Sequence, residues 1–404
     1  LLWQAKRLPY SWIKLFPTLK RIYLDYNATT PLQPEVLEAM LPYLTEKFGN
    51  PSSIHAEGRL ARAAIDESRD KLASLLGAKP HEIIFTGSGT ESNNFAILGL
   101  ALANEKRGKH IITSQIEHHA VLHACELLEK RHGFEVTYLP VDKWGLISEK
   151  TLHEAVRSDT TLVTLMSANN ETGTRQPIEK IGQWCREKNI LFHVDAVQSF
   201  GKELVNVNDW SVDALSLAAH KFYGPKGVGA LFLRSGLSLA PIMVGGAQEN
   251  QRRPGTENVA GIVGLAFAAD RALQTMNTEM PRQREWIEKL WSLLSQEIDG
   301  LYRNGHPLHR TSNTLNLSVA DVKGEELLIG CDLEGLALSS GSACMVGSMQ
   351  PSYVLLAMGI SPILAQAALR FSMGKNTTES HIPEVVSRFK KVITQLRYNK
   401  KVAS

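Results

Sequence analysis

Apolar residues recur along this chain in two rhythms. Between about residues 60 and 275, short apolar runs (EIIFTG, HIITSQ, EVTYLPV, TLVTLMSA, LFHVDA, ALSLAA and VGALFL) alternate with longer amphipathic stretches, among them ARAAIDESRDKLASLLG, AVLHACELLEKR and IEKIGQWCREKN. Strands alternating with helices predict an α/β fold with a largely parallel sheet. A long helix is predicted from about 259 to 298, with a break near Pro281. Beyond it the rhythm changes. TLNLSV, ELLIGCDLEGLALSSG and a terminal helix, IPEVVSRFKKVITQLRYN, read as a smaller α+β unit. A chain of 404 residues suits two domains around a large core.

Charge changes this picture only at the N-terminus. The net charge of +3 is too small to suggest nucleic acid. Lys6, Arg7, Lys14, Lys20 and Arg21 fall in the first 21 residues, which contain no acid. A transit or surface-binding peptide is one reading of that segment. An extension outside the fold is the other, favoured by its little serine and by Pro9 and Pro17. No apolar run reaches the length of a membrane span. The four cysteines, Cys125, Cys185, Cys331 and Cys344, form no C-x-x-C pair. They point to a reducing compartment, the cytoplasm, and not to a disulfide scaffold. Cys125, Cys185 and Cys331 read as packing residues.

Open α/β sheets bind ligands at the carboxyl ends of their strands. The polar clusters of this chain sit there: TGSGTESNN, EHH, NNETG, DAVQ and HK each follow an apolar run. Asp195 closes one run and Lys221 closes another, between His220 and a Gly/Pro-rich turn. Such a pair suits pyridoxal phosphate, with the lysine as Schiff base and the aspartate holding the pyridine nitrogen protonated. Burial would lower the lysine pKa and free its amine. Gln198 stands three residues past Asp195, within reach of a cofactor hydroxyl. Asp195 could equally bind a metal or cap a helix.

The remaining motifs are less specific singly. Gly89 and Thr90 lie where a strand turns into a helix, a place that suits a phosphate or an ordinary cap. His118 could stack on a flat cofactor or shuttle a proton. His119 and His123, four apart, offer two zinc ligands without a clear third. Asn169 and Asn170 could bind a cofactor or carboxylate, or simply form a turn. Arg370, after the helix-like AQAAL, could clamp a carboxylate or form a structural ion pair. Cys344 sits in SSGSACMVGSMQPS, whose composition is that of a mobile loop. Its thiol is either a swinging nucleophile or inert.

Read in order, YLDYNATTP (23–31), FGNPSS (48–53), TGSGTESNN, EHHAV, NNETG, HVDAVQS, AHKFYGPKG, RPGTEN (253–258), SSGSAC, PSYVL and RFSMG make the chain resemble the cysteine desulfurases of the class V aminotransferase group. SSGSAC resembles the branch that supplies sulfur for iron–sulfur clusters. The resemblance implies the fold type I architecture of pyridoxal phosphate-dependent transferases, with a mainly parallel seven-stranded sheet. It divides the chain into a basic extension (1–21), an N-terminal part of the small domain (22–35), a large cofactor-binding domain (36–275) and a small C-terminal domain (276–404).

The resemblance also implies roles. Lys221 is the Schiff-base lysine and proton carrier, His118 stacks on the ring, Asp195 pairs with the ring nitrogen and Gln198 with the ring hydroxyl. Gly89, Thr90 and His220 cradle the phosphate. Thr256 reaches the phosphate of a second subunit, so a homodimer with shared sites is implied. Asn170 and Arg370 hold the carboxylate of L-cysteine. Cys344 takes its sulfur as a persulfide, leaves alanine, and passes the sulfur to an iron–sulfur scaffold or another acceptor protein. One position departs from the pattern: Ala218 stands where the family has a phosphate-binding serine, leaving Ser216, five residues before the lysine, as the nearby hydroxyl. The rivals are a selenocysteine lyase or aminotransferase of the same fold, a sulfur carrier without catalysis, and a zinc hydrolase.

Overall fold

A computed structural model describes residues 20–340 and 350–403. The chain opens with β1 (Ile22–Tyr23), α1 (Pro34–Thr45) and α2 (Ala56–Leu76). Seven strands follow: β2 (Ile83–Thr86), β3 (His110–Ser114), β4 (Glu135–Leu139), β5 (Thr160–Met166), β6 (Leu191–Asp195), β7 (Ala214–Ala218) and β8 (Gly229–Leu233). Between them lie α3 (Gly89–Ala103), α4 (His119–His132), α5 (Glu149–Ala155) and α6 (Ile178–Glu187). These strands form one sheet in the order β2-β8-β7-β6-β5-β3-β4. Every pairing is parallel except those of β8, which runs antiparallel to both neighbours. Each of the seven apolar runs became one strand, because strands covered on both faces must be apolar throughout. Residues of β3, β6, β7 and β8 are all buried.

A single turn, α7 (Gln248–Gln251), left-handed at Glu249, Asn250 and Gln251, leads into α8 (Val259–Glu297). Contrary to the expected break, α8 runs through Pro281 as one 39-residue helix. Its first half packs on the large sheet, where Leu265, Ala268 and Ala272 join the main core. Its second half serves a separate core, with Trp286, Leu290 and Leu294 packed against Leu317, Phe371 and Phe389. This core is built by β9 (Leu301–Asn304), β10 (Thr314–Val319), α9 (Gly324–Leu333), β11 (Leu336–Ala337), α10 (Tyr353–Ala357), α11 (Pro362–Gln366), β12 (Ala368–Ser372) and α12 (His381–Ala403). The antiparallel order is β12-β10-β9. Ile22 and Leu24 belong to this second core although they begin the fold. No helix among the described residues is long and apolar enough to cross a membrane.

The N-terminal segment joins the two units. Asn27 N donates to Ser372 Oγ at 2.9 Å, on the small side. Thr30 N donates to His220 O at 2.9 Å, on the large side. Residues 25–30 thereby run along the seam in which the site forms.

Candidate active site

A cavity of ≈ 300 Å³ opens at the carboxyl ends of the parallel strands. It gathers Gly89 and Thr90 from beyond β2, His118 from beyond β3, Asn170 from beyond β5, Asp195 and Gln198 from β6, and His220 and Lys221 from beyond β7. Arg370 reaches it from β12 in the small unit. A wider groove of ≈ 770 Å³ between α8 and α12, lined by Leu293, Val386 and Lys390, receives none of these groups.

The floor is set by Gly89, the first residue of α3. Ser88 caps the helix, its Oγ accepting from Glu91 N at 3.1 Å. A Cβ on Gly89 would stand 2.8 Å from Val197 Cγ2 and 3.2 Å from Ala218 Cβ, so only glycine lets α3 approach the sheet this closely. The approach brings the free N–H groups at the start of α3 to the cavity, where they suit an anion. Ala218 lines the same corner. Ser216 does not take its place. It is fully buried, its Oγ bonds His193 Nε2 at 2.9 Å, and it lies outside the cavity. Two residues along a strand is about 7 Å, too far for a hydroxyl to substitute.

Lys221 Nζ donates to Asn27 O at 2.6 Å and Ala28 O at 3.0 Å. Burial, reinforced by the Arg370 charge, brings its pKa down to about 8, against the opposing pull of Asp195. A usable fraction of neutral amine therefore exists near neutral pH. His220 Nδ1 lies 3.2 Å from Thr29 Oγ1, and burial lowers its pKa to about 4, leaving it neutral. His118 caps α4 by accepting from Ala120 N on Nδ1 at 3.1 Å. Burial lowers its pKa too, so its neutral form carries the proton on Nε2.

Asp195 accepts from Val197 N at 3.0 Å and from Asn93 Nδ2 at 2.7 Å. Asn93 lies one turn behind Gly89 on α3 and has no role in the sequence reading. Its i+4 spacing from Gly89 is the signal that could have found it. Beneath His118, Glu117 is fully buried with Ser114 Oγ donating to Oε1 at 2.5 Å. Burial, with Asp195 nearby, raises its pKa well above the usual carboxylate range.

Arg370 is a correction to the sequence reading. It stands on strand β12, not at the end of a helix; AQAAL is a short apolar run, and such runs do not separate helix from strand by periodicity. Its Nη1 donates to Asn170 O at 2.7 Å and its Nη2 to Asp25 Oδ1 at 2.6 Å. Ser339 and Ser340 line the cavity beside it, with Arg370 N donating to Ser339 O at 2.7 Å. Cys344 lies outside the described residues. The chain after it is anchored by Ser352, whose Oγ donates to Glu171 Oε2 at 2.5 Å, and by Tyr353, whose hydroxyl donates to Glu117 O at 2.6 Å. The other three cysteines are fully buried, and burial pushes their thiols up, to about 12 for Cys185 and Cys331.

His119 and His123 do stack, with ring centroids 5.0 Å apart, and Tyr353 packs on His119 at 4.9 Å. No third metal ligand joins them among the described residues. Thr256 is exposed and does not line this chain's cavity. Its loop is fixed on either side by ion pairs, Arg253 with Glu91 at 2.7 Å and Arg62 with Glu257 at 2.6 Å.

The residues fit pyridoxal phosphate. Asn93 Oδ1, Asn170 Oδ1 and Arg370 Nε are buried without a hydrogen-bond partner, so the site holds polar capacity that the chain itself does not use. An anion cradle, a depressed lysine and a buried carboxylate stand around one cavity. This combination defines an enzyme that binds a flat, phosphorylated cofactor on its lysine.

The aminotransferase class-V family model matches residues 22–385, and the chain belongs to that family, whose members are pyridoxal phosphate enzymes. The chain is 50% identical over 378 residues to the cysteine desulfurase IscS of Dictyoglomus turgidum, covering 94% of this chain and 96% of the relative. It is 44% identical over 384 residues to the human cysteine desulfurase, covering 94% and 83%. Among solved structures it is similar to a NifS-like protein, with a TM-score of 0.87 and 38% identity over 93% of this chain and 100% of the other. It is also similar to SspA in complex with cysteine, with a TM-score of 0.76 and 41% identity over 87% and 98%.

Proposed function

We propose that this protein is a cysteine desulfurase: L-cysteine and the Cys344 thiol become L-alanine and a Cys344 persulfide. The observation that carries the reading is the meeting of Lys221 and Arg370 at one cavity, an amine-bearing cofactor anchor beside a buried carboxylate clamp. When bound, pyridoxal phosphate supplies an electron-withdrawing ring that stabilises negative charge at the substrate carbon. Lys221 would anchor it and, as the nearby amine, would carry the proton to and from that carbon. Asp195, held by Asn93, keeps the ring nitrogen protonated. His118 would stack on the ring and offer its Nε2 proton, and Gly89, Thr90 and His220 would hold the phosphate. Arg370 and Asn170 orient the substrate carboxylate.

Cys344 then attacks the substrate sulfur. The sulfur passes to the thiolate, the C–S electron pair takes a proton at carbon, and alanine leaves. Ser339 and Ser340 at the cavity wall support this assignment, since they lie within five residues of Cys344. The persulfide goes on to an acceptor protein, of the iron–sulfur scaffold kind.

The division into a large cofactor-binding domain (36–275) and a small domain made of residues 22–35 and 276–404 is part of this reading; the packing of Ile22 and Leu24 in the second core supports it. A homodimer is supported by an unpartnered apolar stripe, Leu37, Leu41 and Leu44 on α1, continued by Phe48 and Ile54, which are 75% and 91% exposed. Thr256, exposed on its braced loop, is then available to the partner's phosphate. The cytoplasm suits three reduced, buried thiols.

The test is release of sulfide and alanine from L-cysteine with a reductant, for wild type and Cys344→Ala. Equal yields of both products from wild type, and almost none from the variant, are expected. Alanine or keto acid formed equally by both would make the protein an aminotransferase-like member of the family instead.

A further inference from the structure

Lys202 has no place in the roles above, yet it touches two groups of the site. Its Nζ donates to Gln198 Oε1 at 3.1 Å and to Asn27 Oδ1 at 3.0 Å. It lines a narrow space of ≈ 30 Å³ behind Lys221. Among the described residues no carboxylate stands within ion-pair distance of it. Two amide oxygens receive the ammonium instead. Lys202 is half-buried without a carboxylate partner in ion-pair reach among the described residues, and desolvation, together with the Lys221 and Arg370 charges, lowers its pKa to about 7.

What the arrangement accomplishes is the choice of an orientation. The oxygen and nitrogen of a glutamine amide are nearly the same size, so its partners decide which way it faces. The lysine side chain has donors and, when charged, no acceptor. Oε1 of Gln198 turns to Lys202, because the lysine, even as a neutral amine, keeps two N–H donors for its two amide-oxygen partners, Gln198 Oε1 and Asn27 Oδ1. Nε2 then donates one hydrogen to Asn27 O at 3.0 Å, and its second hydrogen is left for the cavity that Gln198 lines. Asn27 O, already taken by Lys221 and Gln198, has no lone pair left to compete for it.

We infer that Lys202 is a positioning residue for the cofactor: it locks the Gln198 amide so that an N–H, and never an acceptor, faces the ring oxygen of pyridoxal phosphate. This rests on the cavity holding that cofactor. The ring oxygen is negatively charged when ionised, and a donor stabilises that form, whereas a flipped amide would oppose it.

The experiment titrates apoprotein with pyridoxal phosphate, and follows the visible spectrum of the loaded protein against pH. Lys202→Met keeps the aliphatic stem and removes the donors. It should bind the cofactor about five- to tenfold more weakly. The midpoint of its spectral transition should move upward, because an oxygen that loses a donor holds a proton more tightly. Gln198→Ala should do the same, and the double variant should be no worse than either single one. Lys202→Arg, still all donors, should recover the wild-type midpoint. Wild-type affinity and midpoint in Lys202→Met, or effects that add in the double variant, would overturn the inference and leave the function standing. If wild type takes up no pyridoxal phosphate, both fall. Should Lys202→Met not fold, Gln198→Glu decides, since it keeps the bond to Lys202 and offers the cavity only oxygen; unchanged cofactor affinity there overturns the inference.

Discussion

Asn93 and Asp195 are joined across two elements, the amide of one on α3 donating to the carboxylate of the other at the end of β6, 2.7 Å away. The bond ties the helix that starts beside the cavity to the buried carboxylate that we propose would pair with the cofactor's ring nitrogen. Asn93→Ala leaves the buried Asp195 with Val197 N as its one remaining donor among the described residues. The loss of a bond to a charged group costs about 1.5–3 kcal/mol, a factor of roughly 10–100. Turnover should fall by that order while the protein stays folded, as measured by steady-state kinetics beside a thermal melt.

Lys221 sets a pH dependence of cofactor uptake. Its protonated form is unreactive and its neutral form attacks, so uptake must rise with pH. With a pKa of about 8, neutral amine grows about tenfold from pH 7 to pH 9 and then levels off. An ordinary lysine would still be climbing about hundredfold over the same interval. Stopped-flow mixing of apoprotein with pyridoxal phosphate separates the two curves.

Arg370→Lys keeps the charge and removes the planar fork. Asn170 O and Asp25 Oδ1 would both lose a geometrically matched donor. If Arg370 clamps the substrate carboxylate as proposed, kcat/KM for L-cysteine should fall by about 10–100-fold, mostly through KM, because such a clamp would act on bound substrate as well as on its transition state.

Ala218→Ser restores a hydroxyl at the corner where Gly89 meets the sheet. One added neutral hydrogen bond, about 1 kcal/mol, should tighten pyridoxal phosphate roughly fivefold. Equilibrium dialysis of wild type and variant measures it. No gain would mean that the α3 N–H groups already saturate the phosphate.

Arg69 and Glu249 form a bidentate pair, both bonds at 2.7 Å, and Glu249 Oε2 also accepts from Phe85 N at 3.0 Å. The pair braces three successive residues in left-handed conformation, Glu249, Asn250 and Gln251, with φ of 49°, 56° and 64°. Arg69→Ala strands a buried carboxylate and should cost about 3 kcal/mol. A lower denaturant midpoint with an unchanged slope is the expected reading.

Much of the site was visible in the chain as a string. Seven apolar runs name seven strands, and each polar cluster that follows one marks a strand's carboxyl end. Burial on both faces demands apolar runs, and the ends of such runs are where polar groups can first appear, so Gly89, His118, Asn170, Asp195, Gln198 and Lys221 are found by local pattern alone. Other features depended on packing. Arg370 reached the cavity only because β12 pairs with β10, and its short apolar approach reads as either helix or strand. Ser216 looked available until its hydroxyl was seen to serve His193. Asn27, Asn93 and Lys202 lie on the right stretches, but their roles arise from bonds to residues up to 345 positions away, such as that from Asn27 N to Ser372 Oγ. Which residues belong to each strand is settled by periodicity along the chain. Which amide faces a cofactor is settled by the donors packed behind it, and those come together only when two sheets close on one seam.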